Sequence, residues 1–336
     1  MQPILSVTVP FFALILAGFL AAQRGWLPLG TIPGLNAFVL YFALPCMLLR
    51  LGMGTPLAQL LDPVISSIYL ACAVLVVTLV LALGRMTGTS SRDSAFAALV
   101  AAFPNSGFIG LPLLVALLGP GAAGPVICAM LLDMVVTTSA CLALAHRGGS
   151  PGEEATPSTM ASGKAFLSAL QAPLMNPLPW SIALGGILSA WNLQMWGPVE
   201  RAVWMLADSA SPVALFTIGA VLFRSRSSSD SAAAAHARAT LLPSVVAVKL
   251  LLHPALVLMG CSAARALGAQ LTDLQVITIT LMSSLPSASN VSILAERHGA
   301  DNGLVARIIT GSTILAFITF ALWAWFFAVQ PGQQGA

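Results

Sequence analysis

The stretch Ala101–Leu114, AAFPNSGFIGLPLL, places a helix-breaking segment in the middle of an apolar run that extends from Ser94 to Leu118. Pro104 has no backbone N–H, and a proline ring clashes with the preceding helical turn. In hydrocarbon, the carbonyl groups that are freed in this way are stable only where protein or a water-filled cavity supplies hydrogen bonds. The stretch therefore predicts a helix that breaks inside a membrane protein.

The whole chain has the composition of a protein that is largely surrounded by lipid. Of its 336 residues, 58% are hydrophobic and 7% are charged, whereas about 25% of the residues of a soluble domain are charged. The net charge of +3 is thinly spread along the chain, which gives no support to nucleic-acid binding. We therefore predict an all-α polytopic membrane protein.

Motifs for enzymatic or metal chemistry are scarce. The five cysteines lie in apolar runs without a CxxC spacing, as expected of small buried hydrophobic residues. The sequence has no HExxH motif and no Walker loop, the patterns that mark metalloproteases and nucleotide-binding proteins. We expect no enzymatic activity, no metal site and no organic cofactor.

Apolar runs close to the roughly 20 residues that span a bilayer recur from end to end. We predict ten spans, which are Ile4–Ala22, Leu35–Leu51, Pro63–Gly84, Ser94–Leu118, Ala122–Ala145, Asn176–Trp191, Val199–Phe223, Leu241–Gly260, Leu271–Leu294 and Gly303–Val329. The domain boundaries follow from them: residues 1–145 and 176–336 form two halves of five spans, joined by a linker at 146–175. Within the linker, Lys164–Met175 has the composition of an amphipathic helix that lies on the membrane.

The distribution of basic residues predicts the orientation. Lys and Arg are concentrated in the loops on the side of the linker, and such loops are usually cytoplasmic. We therefore expect the linker 146–175 in the cytoplasm and both termini on the outer, periplasmic side.

The two halves of the sequence resemble each other. Within the first matched pair of segments, Ala, Pro, Leu and Gly fall at identical offsets. The matches are Ala43–Gly52 with Ala210–Gly219, Phe103–Gly107 with Leu285–Asn290, and Gly119 with Gly299. Because each half has an odd number of spans, the second half must be inserted upside down, which is the inverted-repeat plan of secondary transporters.

Breaks at corresponding positions of two inverted halves are the best sequence indication of a central binding site. Half-helices that start at a break direct their N-terminal N–H groups toward it, which favours an anion. Around Pro104 and Pro286, the candidate binding residues are Asn105, Ser106, Gly107, Ser287, Ser289 and Asn290. The alternative is a packing kink, since Gly and Pro are common in membrane helices.

Ionisable residues inside spans are costly and therefore candidates for function. The candidates for charge balance or coupling are Asp133, Asp208, Lys249 and His253. Lys249 and His253 are four residues apart and share one helical face. Lys249 is a candidate to pair with Asp133 or Asp208, to attract an anionic substrate, or to carry a coupling proton. The alternatives are a structural ion pair and a histidine that only packs between helices.

The chain resembles the auxin efflux carrier family, bacterial branch, whose members include proteins described as malonate carriers. The resemblance extends over essentially the whole chain, and Lys249 with Pro254 also fits the family. The segments that carry it are FALPCMLLRLG at 42–52, FPNSGFIGLPLL at 103–114, and SSLPSASNVSILAERHGADNGLVARIITGST at 283–313.

The resemblance implies two inverted five-helix repeats, a fold shared with bile-acid sodium symporters. Spans 4 and 9 would be discontinuous and cross near their breaks. Spans 3–5 and 8–10 would form a mobile core against a scaffold of spans 1, 2, 6 and 7. By matching motif, the residues that would line the crossing are Pro104, Asn105, Pro286 and Asn290. This sequence departs from a Pro-Asn pair at the second break, where Ser287 follows Pro286.

Together these observations predict a secondary transporter of a small organic anion that works by alternating access. Malonate or another dicarboxylate is the substrate that the resemblance implies, and the bacterial inner membrane is the location. A proton is favoured over Na⁺ as the coupling ion. The alternatives are a sodium-coupled symporter, a passive channel and a receptor that does not transport. The expected partners are the organic anion, membrane lipid and, as an open alternative, a second copy of the chain.

Overall fold

The structure, a computed structural model, describes residues 2–60, 62–147, 177–225 and 241–329. In these ranges the chain is helical and forms no strand. The helices are α1 Gln2–Gln23, α2 Leu29–Gly54, α3 Pro63–Met86, α4 Ser91–Ala102, α5 Ser106–Leu118, α6 Pro120–His146, α7 Pro177–Ala190, α8 Gly197–Ser225, α9 Leu241–Ala266, α10 Asp273–Ser283, α11 Val291–Arg297 and α12 Asn302–Phe326.

Seven helices in the described ranges are long and apolar enough to cross a membrane, namely α1, α2, α3, α6, α8, α9 and α12. A helix rises 1.5 Å per residue, so that 20 residues match the roughly 30 Å of hydrocarbon. The predicted all-α polytopic class is therefore confirmed. Ten spans and two inverted repeats stay predictions, and the amphipathic segment at 164–175 lies outside the described residues.

Helices α4 and α10 begin in the same way. The Ser90 hydroxyl accepts a hydrogen bond from the N–H of Asp93 at 3.0 Å, and the Thr272 hydroxyl accepts one from the N–H of Gln275 at 3.2 Å. The side-chain oxygen of Gln275 accepts a hydrogen bond from the Thr272 N–H, which completes a capping box. Such caps satisfy N–H groups that have no partner inside the helix, so these residues define where both helices start.

The side chains of Asp93 and Gln275 also connect distant helices. The Asp93 carboxylate accepts the backbone N–H of Asp301 at 2.7 Å, just before α12 begins. The Gln275 amide donates to the carboxylate of Asp62 at 3.1 Å, and Asp62 is the N-cap of α3. The starts of α4 and α10 are thereby attached to the starts of α12 and α3.

Glycines permit a close crossing of α1 and α8. A Cβ on Gly18 would overlap the carbonyl oxygen of Phe216, and a Cβ on Gly219 would overlap the carbonyl oxygen of Ile15. Without a hydrophobic driving force between helices in lipid, small residues that let backbones approach are a main source of packing energy. The two glycines therefore fix the contact between α1 and α8.

A second crossing, between α2 and α7, is built in the same way. A Cβ on Gly52 would lie 2.9 Å from the carbonyl oxygen of Ile182, and a Cβ on Gly185 would overlap the carbonyl oxygen of Leu49. Each helix again contributes one glycine and one carbonyl group to the contact. Side chains larger than hydrogen would force both pairs of helices apart.

Wide π turns interrupt several helices. They are Val39–Ala43 in α2, Ser106–Gly110 at the start of α5, Asp133–Thr137 in α6 and Val248–Leu252 in α9. Such turns are rare and often occur at functional sites. Two of them contain the predicted charged residues Asp133 and Lys249, and a third directly follows the break at Pro104.

Candidate functional site

The first helix break separates α4 from α5. Helix α4 ends at Ala102, and Phe103 is extended with φ −91° and ψ 102°. Asn105 also leaves the helical conformation, with φ −76° and ψ 59°. Its carbonyl oxygen accepts the N–H groups of Ile109 and Gly110 at 3.1 and 2.9 Å. Helix α5 thus starts immediately after the break, with a wide first turn anchored on Asn105.

The second break separates α10 from α11. The hydroxyl groups of Ser283 and Ser284 donate to the carbonyl oxygens of Thr280 and Leu281, both at 2.7 Å, where α10 ends. The backbone N–H of Ser284 donates to the same two carbonyl oxygens at 3.2 Å, so that the hydroxyl bonds reinforce the last turn of the helix, where carbonyl groups lack a full set of partners. Asn290 then precedes α11, and its side chain caps none of the N–H groups of that helix.

The two breaks pair with each other. The backbone N–H of Asn105 donates to the carbonyl oxygen of Pro286 at 2.8 Å, and the N–H of Ala288 donates to the carbonyl oxygen of Phe103 at 3.0 Å. This is a one-residue antiparallel bridge between Pro104 and Ser287. All six residues are buried. Backbone groups that the breaks remove from helices are therefore satisfied by the opposite break, as buried polar groups require.

Helix α12 supplies the remaining partner at the second break. The backbone N–H of Ser287 donates to the hydroxyl oxygen of Ser312 at 3.1 Å, and that hydroxyl donates to the carbonyl oxygen of Ile309 at 3.0 Å. Ser312 is fully buried. Sequence reasoning missed Ser312, because nothing in the spacing of α12 indicates that it meets the second break.

Three side-chain oxygens at the crossing lack a hydrogen-bond partner among the described residues. They are Oγ of Ser106, Oγ of Ser287 and Oδ1 of Asn290, and each is inaccessible to solvent. Buried polar atoms without a partner cost free energy and call for an explanation. They are available to a polar ligand at this point of the fold.

A pocket opens beside the crossing. Of the predicted binding residues, Pro104, Asn105, Ser106, Gly107 and Asn290 line it, and Pro286, Ser287 and Ser289 do not. Its other walls are apolar and come from α2, α6 and α7, from the start of α5 and from the two breaks. They comprise Leu40, Leu44, Phe103, Phe108, Met130, Met134, Leu178 and Ala288. Apolar walls with a few convergent polar groups are typical of small-molecule sites.

A second polar site lies on α3, α6 and α9. The Tyr69 hydroxyl donates to Oδ2 of Asp133 at 2.7 Å, and the Thr137 hydroxyl donates to Oδ1 at 3.1 Å. Tyr69 and Asp133 are fully buried. The sequence analysis identified Asp133 but missed Tyr69 and Thr137. Thr137 follows Asp133 by one helical turn, and this spacing was the available signal.

Lys249 and His253 complete this site from α9. The Lys249 ammonium nitrogen lies 3.5 Å from Nδ1 of His253, as their spacing of four residues predicts. Both side chains are fully buried. Lys249 is near enough to Asp133 to interact electrostatically, but among the described residues no carboxylate lies within 4 Å of its ammonium group.

Asp208 is not part of either site. Its carboxylate forms an ion pair with Arg50 at 2.8 Å, and its side chain is 72% exposed on the surface of the helix bundle. The Arg50 guanidinium also lies over the Trp204 ring, 5.5 Å from its centroid. The structure therefore brings Asp133, Lys249 and His253 together and leaves Asp208 apart from them.

The sequence matches the family model described as "Membrane transport protein" over residues 3–324. The chain belongs to this family, the auxin efflux carrier family that the sequence motifs resemble. It is a membrane transporter rather than an enzyme.

Two relatives match along nearly their whole length. A protein of Rhizobium meliloti (strain 1021) that bears the name "Putative malonate transporter" is 28% identical over 326 residues, which cover 95% of this chain and 94% of the relative. An "Uncharacterized transporter" of Methanothermobacter thermautotrophicus is 27% identical over 333 residues, covering 96% and 97% of the two chains.

Proposed function

We propose that this transporter is a secondary active carrier of a small organic anion, coupled to protons and working by alternating access. The observation that carries the proposal is the pair of hydrogen-bonded helix breaks, with unpartnered oxygens on Ser106, Ser287 and Asn290. Such breaks mark the central site of secondary transporters. The same proposal places the protein in the bacterial inner membrane with both termini on the outer side. It leaves a homodimer as an open alternative.

Two inverted repeats are part of this proposal, and the equivalent glycine contacts support them. The sequence match pairs Gly52 with Gly219, and it also pairs Leu49 with Phe216. Gly219 packs on α1, whose Gly18 faces the Phe216 carbonyl, and Gly52 packs on α7, whose Gly185 faces the Leu49 carbonyl. One contact is thus repeated with the corresponding residues in each half.

The helices around the two breaks agree with the same repeat. The number of residues from the N-cap Ser90 to Pro104 equals that from the N-cap Thr272 to Pro286. Gly119 and Gly299, which the sequence also pairs, both adopt positive φ, at 88° and 64°. These correspondences support discontinuous helices at equivalent places in two inverted halves.

An anion suits the first break because α5 begins there. The backbone N–H groups at the start of a helix carry partial positive charge and favour a negatively charged ligand. In the proposed complex, Asn105, Ser106, Gly107, Ser287, Ser289 and Asn290 bind the carboxylate, and Pro104 and Pro286 keep the breaks open. Malonate is the first substrate to test because the Rhizobium relative bears that name.

We assign proton coupling to the buried site of Asp133, Lys249 and His253. Two methionines on α6 line the pocket at the crossing: Met130 lies three residues before Asp133, and Met134 directly follows it. A change at Asp133 therefore reaches the walls of the pocket through a single helix. Intramembrane charges of this kind commonly serve proton transfer in transporters.

The test is uptake of labelled malonate by proteoliposomes that contain the purified protein. A pH gradient and a sodium gradient are imposed separately, and Asn105→Ala is compared with Asn36→Ala, a control on α2 outside the pocket. We expect saturable uptake that follows the pH gradient, falls at least about tenfold in Asn105→Ala and is unchanged in Asn36→Ala. A tenfold loss corresponds to about 1.4 kcal/mol of binding free energy.

Three results would argue against the proposal. Uptake driven by sodium alone would identify a sodium symporter, and uptake that does not saturate would identify a channel. Uptake that is equal in Asn105→Ala and the wild type would exclude the first break as the binding site. If malonate fails under every gradient, a panel of other carboxylates tests the organic-anion class itself.

A further inference from the structure

Tyr69 is the central residue of the buried polar site. Its hydroxyl donates to Oδ2 of Asp133 at 2.7 Å, and its ring lies 5.9 Å from the His253 ring, measured between centroids. It is fully buried, as are Asp133, Lys249 and His253. Tyr69 therefore contacts both the acidic and the basic part of the site.

A carboxyl group and an amino group, which attract each other when both are charged, are buried near each other here without direct contact. Both Asp133 oxygens are occupied by hydroxyl donors, from Tyr69 and Thr137. The Lys249 nitrogen is directed to His253 instead. A buried carboxylate and ammonium attract each other strongly at low dielectric constant, so a competing set of bonds is needed to keep them apart.

We propose that Tyr69 is a positioning residue that holds Asp133 away from Lys249 and thereby keeps the pair able to bind and release a proton. The inference rests on the proposed proton-coupled transport. When a proton from water binds the Nζ lone pair of Lys249, the ammonium attracts Asp133, and the Tyr69 bond opposes a permanent ion pair. When that proton leaves Nζ for water on the other side, Asp133 returns to Tyr69.

The neighbourhood of the pair contains few other groups that titrate. The titratable side chains in electrostatic contact with it are Cys72 beside Tyr69 on α3 and Cys141 beside Asp133 on α6. Two further helices, α4 and α12, pack against the π turns that carry Asp133 or Lys249. Their titratable residues are Arg92 and Asp93 at the start of α4 and Arg307 in α12.

The pair is connected to the crossing from two directions. On α6, Met130 lies three residues before Asp133 and Met134 directly after it, and both line the pocket. On α9, Val246 lies one turn before Lys249, and its Cγ2 would be 3.5 Å from a Cβ on Gly311, the neighbour of Ser312. Movement of Asp133 between Tyr69 and Lys249 therefore acts on residues that shape both breaks.

The test compares Tyr69→Phe with Tyr41→Phe, since these are the two tyrosines of the chain. Tyr41 is exposed on α2 and serves as the matched control. Two readouts are measured in proteoliposomes: accumulation of labelled malonate driven by a pH gradient, and exchange of labelled for unlabelled malonate without a gradient. Exchange needs the carrier cycle with substrate but no net proton movement.

We expect Tyr69→Phe to retain exchange within about twofold and to lose at least about tenfold of the gradient-driven accumulation. Its transport rate should also become less dependent on pH, because the ion pair no longer opens. Tyr41→Phe should match the wild type in both assays. Thr137→Val, which removes the second hydroxyl bond with little change of shape, should reduce accumulation in the same direction.

Several results would overturn the inference. If accumulation and the pH profile are unchanged in Tyr69→Phe, the hydroxyl has no such role. If exchange and accumulation are lost equally, Tyr69 has a general structural role instead. If Tyr69→Phe does not fold, an unchanged pH profile in Thr137→Val would likewise show that the hydroxyl bonds to Asp133 have no such role. Failure of the wild type to exchange malonate or another carboxylate would instead refute the proposed function.

Discussion

The backbone N–H of Asn105 donates a hydrogen bond to the carbonyl oxygen of Pro286, 2.8 Å away and 181 positions later in the chain. Each proline ends the hydrogen-bond ladder of its own helix, and each break finds its partner in the other. Neither break would be stable in hydrocarbon by itself. The two broken helices therefore depend on each other, and mutations at one break are expected to affect the other.

Ser312→Ala removes the acceptor of the buried Ser287 N–H. A buried donor without a partner costs about 1–3 kcal/mol, so we expect a lower free energy of unfolding and a lower Tm in detergent. Ser262→Ala is the control, since Ser262 is exposed on α9 and its hydroxyl bonds to the carbonyl oxygen of Leu258 one turn earlier in the same helix. Equal melting temperatures for the two variants would show that Ser312 does not support the second break.

Gly219→Ala introduces a methyl group where the carbonyl oxygen of Ile15 lies. Overpacking of a tight contact costs about 1–3 kcal/mol, and the crossing of α1 with α8 cannot relax without moving a whole helix. We expect a lower Tm and poorer recovery of folded protein. Gly54→Ala, at an open position at the end of α2, should be neutral, and a similar loss in both variants would contradict the close crossing.

His298 follows α11, beyond the predicted ninth span, and its pKa is lowered by burial and then by His146, Arg297 and Arg92. The unfolded chain, with an ordinary pKa near 6.5, therefore binds a proton more readily than the folded protein. Stability from this residue is complete above about pH 6.5 and decreases as the pH falls below that value. When the pH is lowered from 7.5 to 5.5, the Tm of His298→Gln should fall less than that of the wild type. An identical fall in both proteins would exclude this contribution of His298 to stability.

Asp208→Asn separates the two candidates for an acidic coupling residue. Asp208 is exposed and paired with Arg50, and it has no contact with the buried site of Asp133 and Lys249. We expect the pH profile of transport to stay unchanged in Asp208→Asn, and Asp133→Asn to alter it. A shifted profile in Asp208→Asn would return this residue to the coupling mechanism.

Sequence reasoning located both breaks because proline acts on its own helix. The effect of Pro104 and Pro286 on backbone hydrogen bonding is local, and so is the requirement that polar groups in hydrocarbon be satisfied. The same holds for the paired residues Lys249 and His253, which meet because helical geometry places residues four apart on one face. These features could be predicted without knowledge of the packing.

Contacts between distant helices could not be predicted in this way. Ser312 meets Ser287, and Tyr69 meets Asp133, only because segments far apart in the chain pack together. Asp208 looks like Asp133 in the sequence, since each is an acidic residue in the interior of a predicted span. Burial distinguishes them, and burial depends on which face of a helix turns toward its neighbours.

The amino-acid sequence by itself determined the helical membrane class, the helix breaks and the family, because hydrophobic length, proline and the family motifs act through local or linear patterns. Tertiary structure alone decided that the two breaks satisfy each other, that Asp133 binds Tyr69, and that Asp208 stays on the surface. The physical reason is that a hydrogen bond or an ion pair between helices depends on their relative position and rotation. Close contacts such as those of Gly18 and Gly219 fix that position.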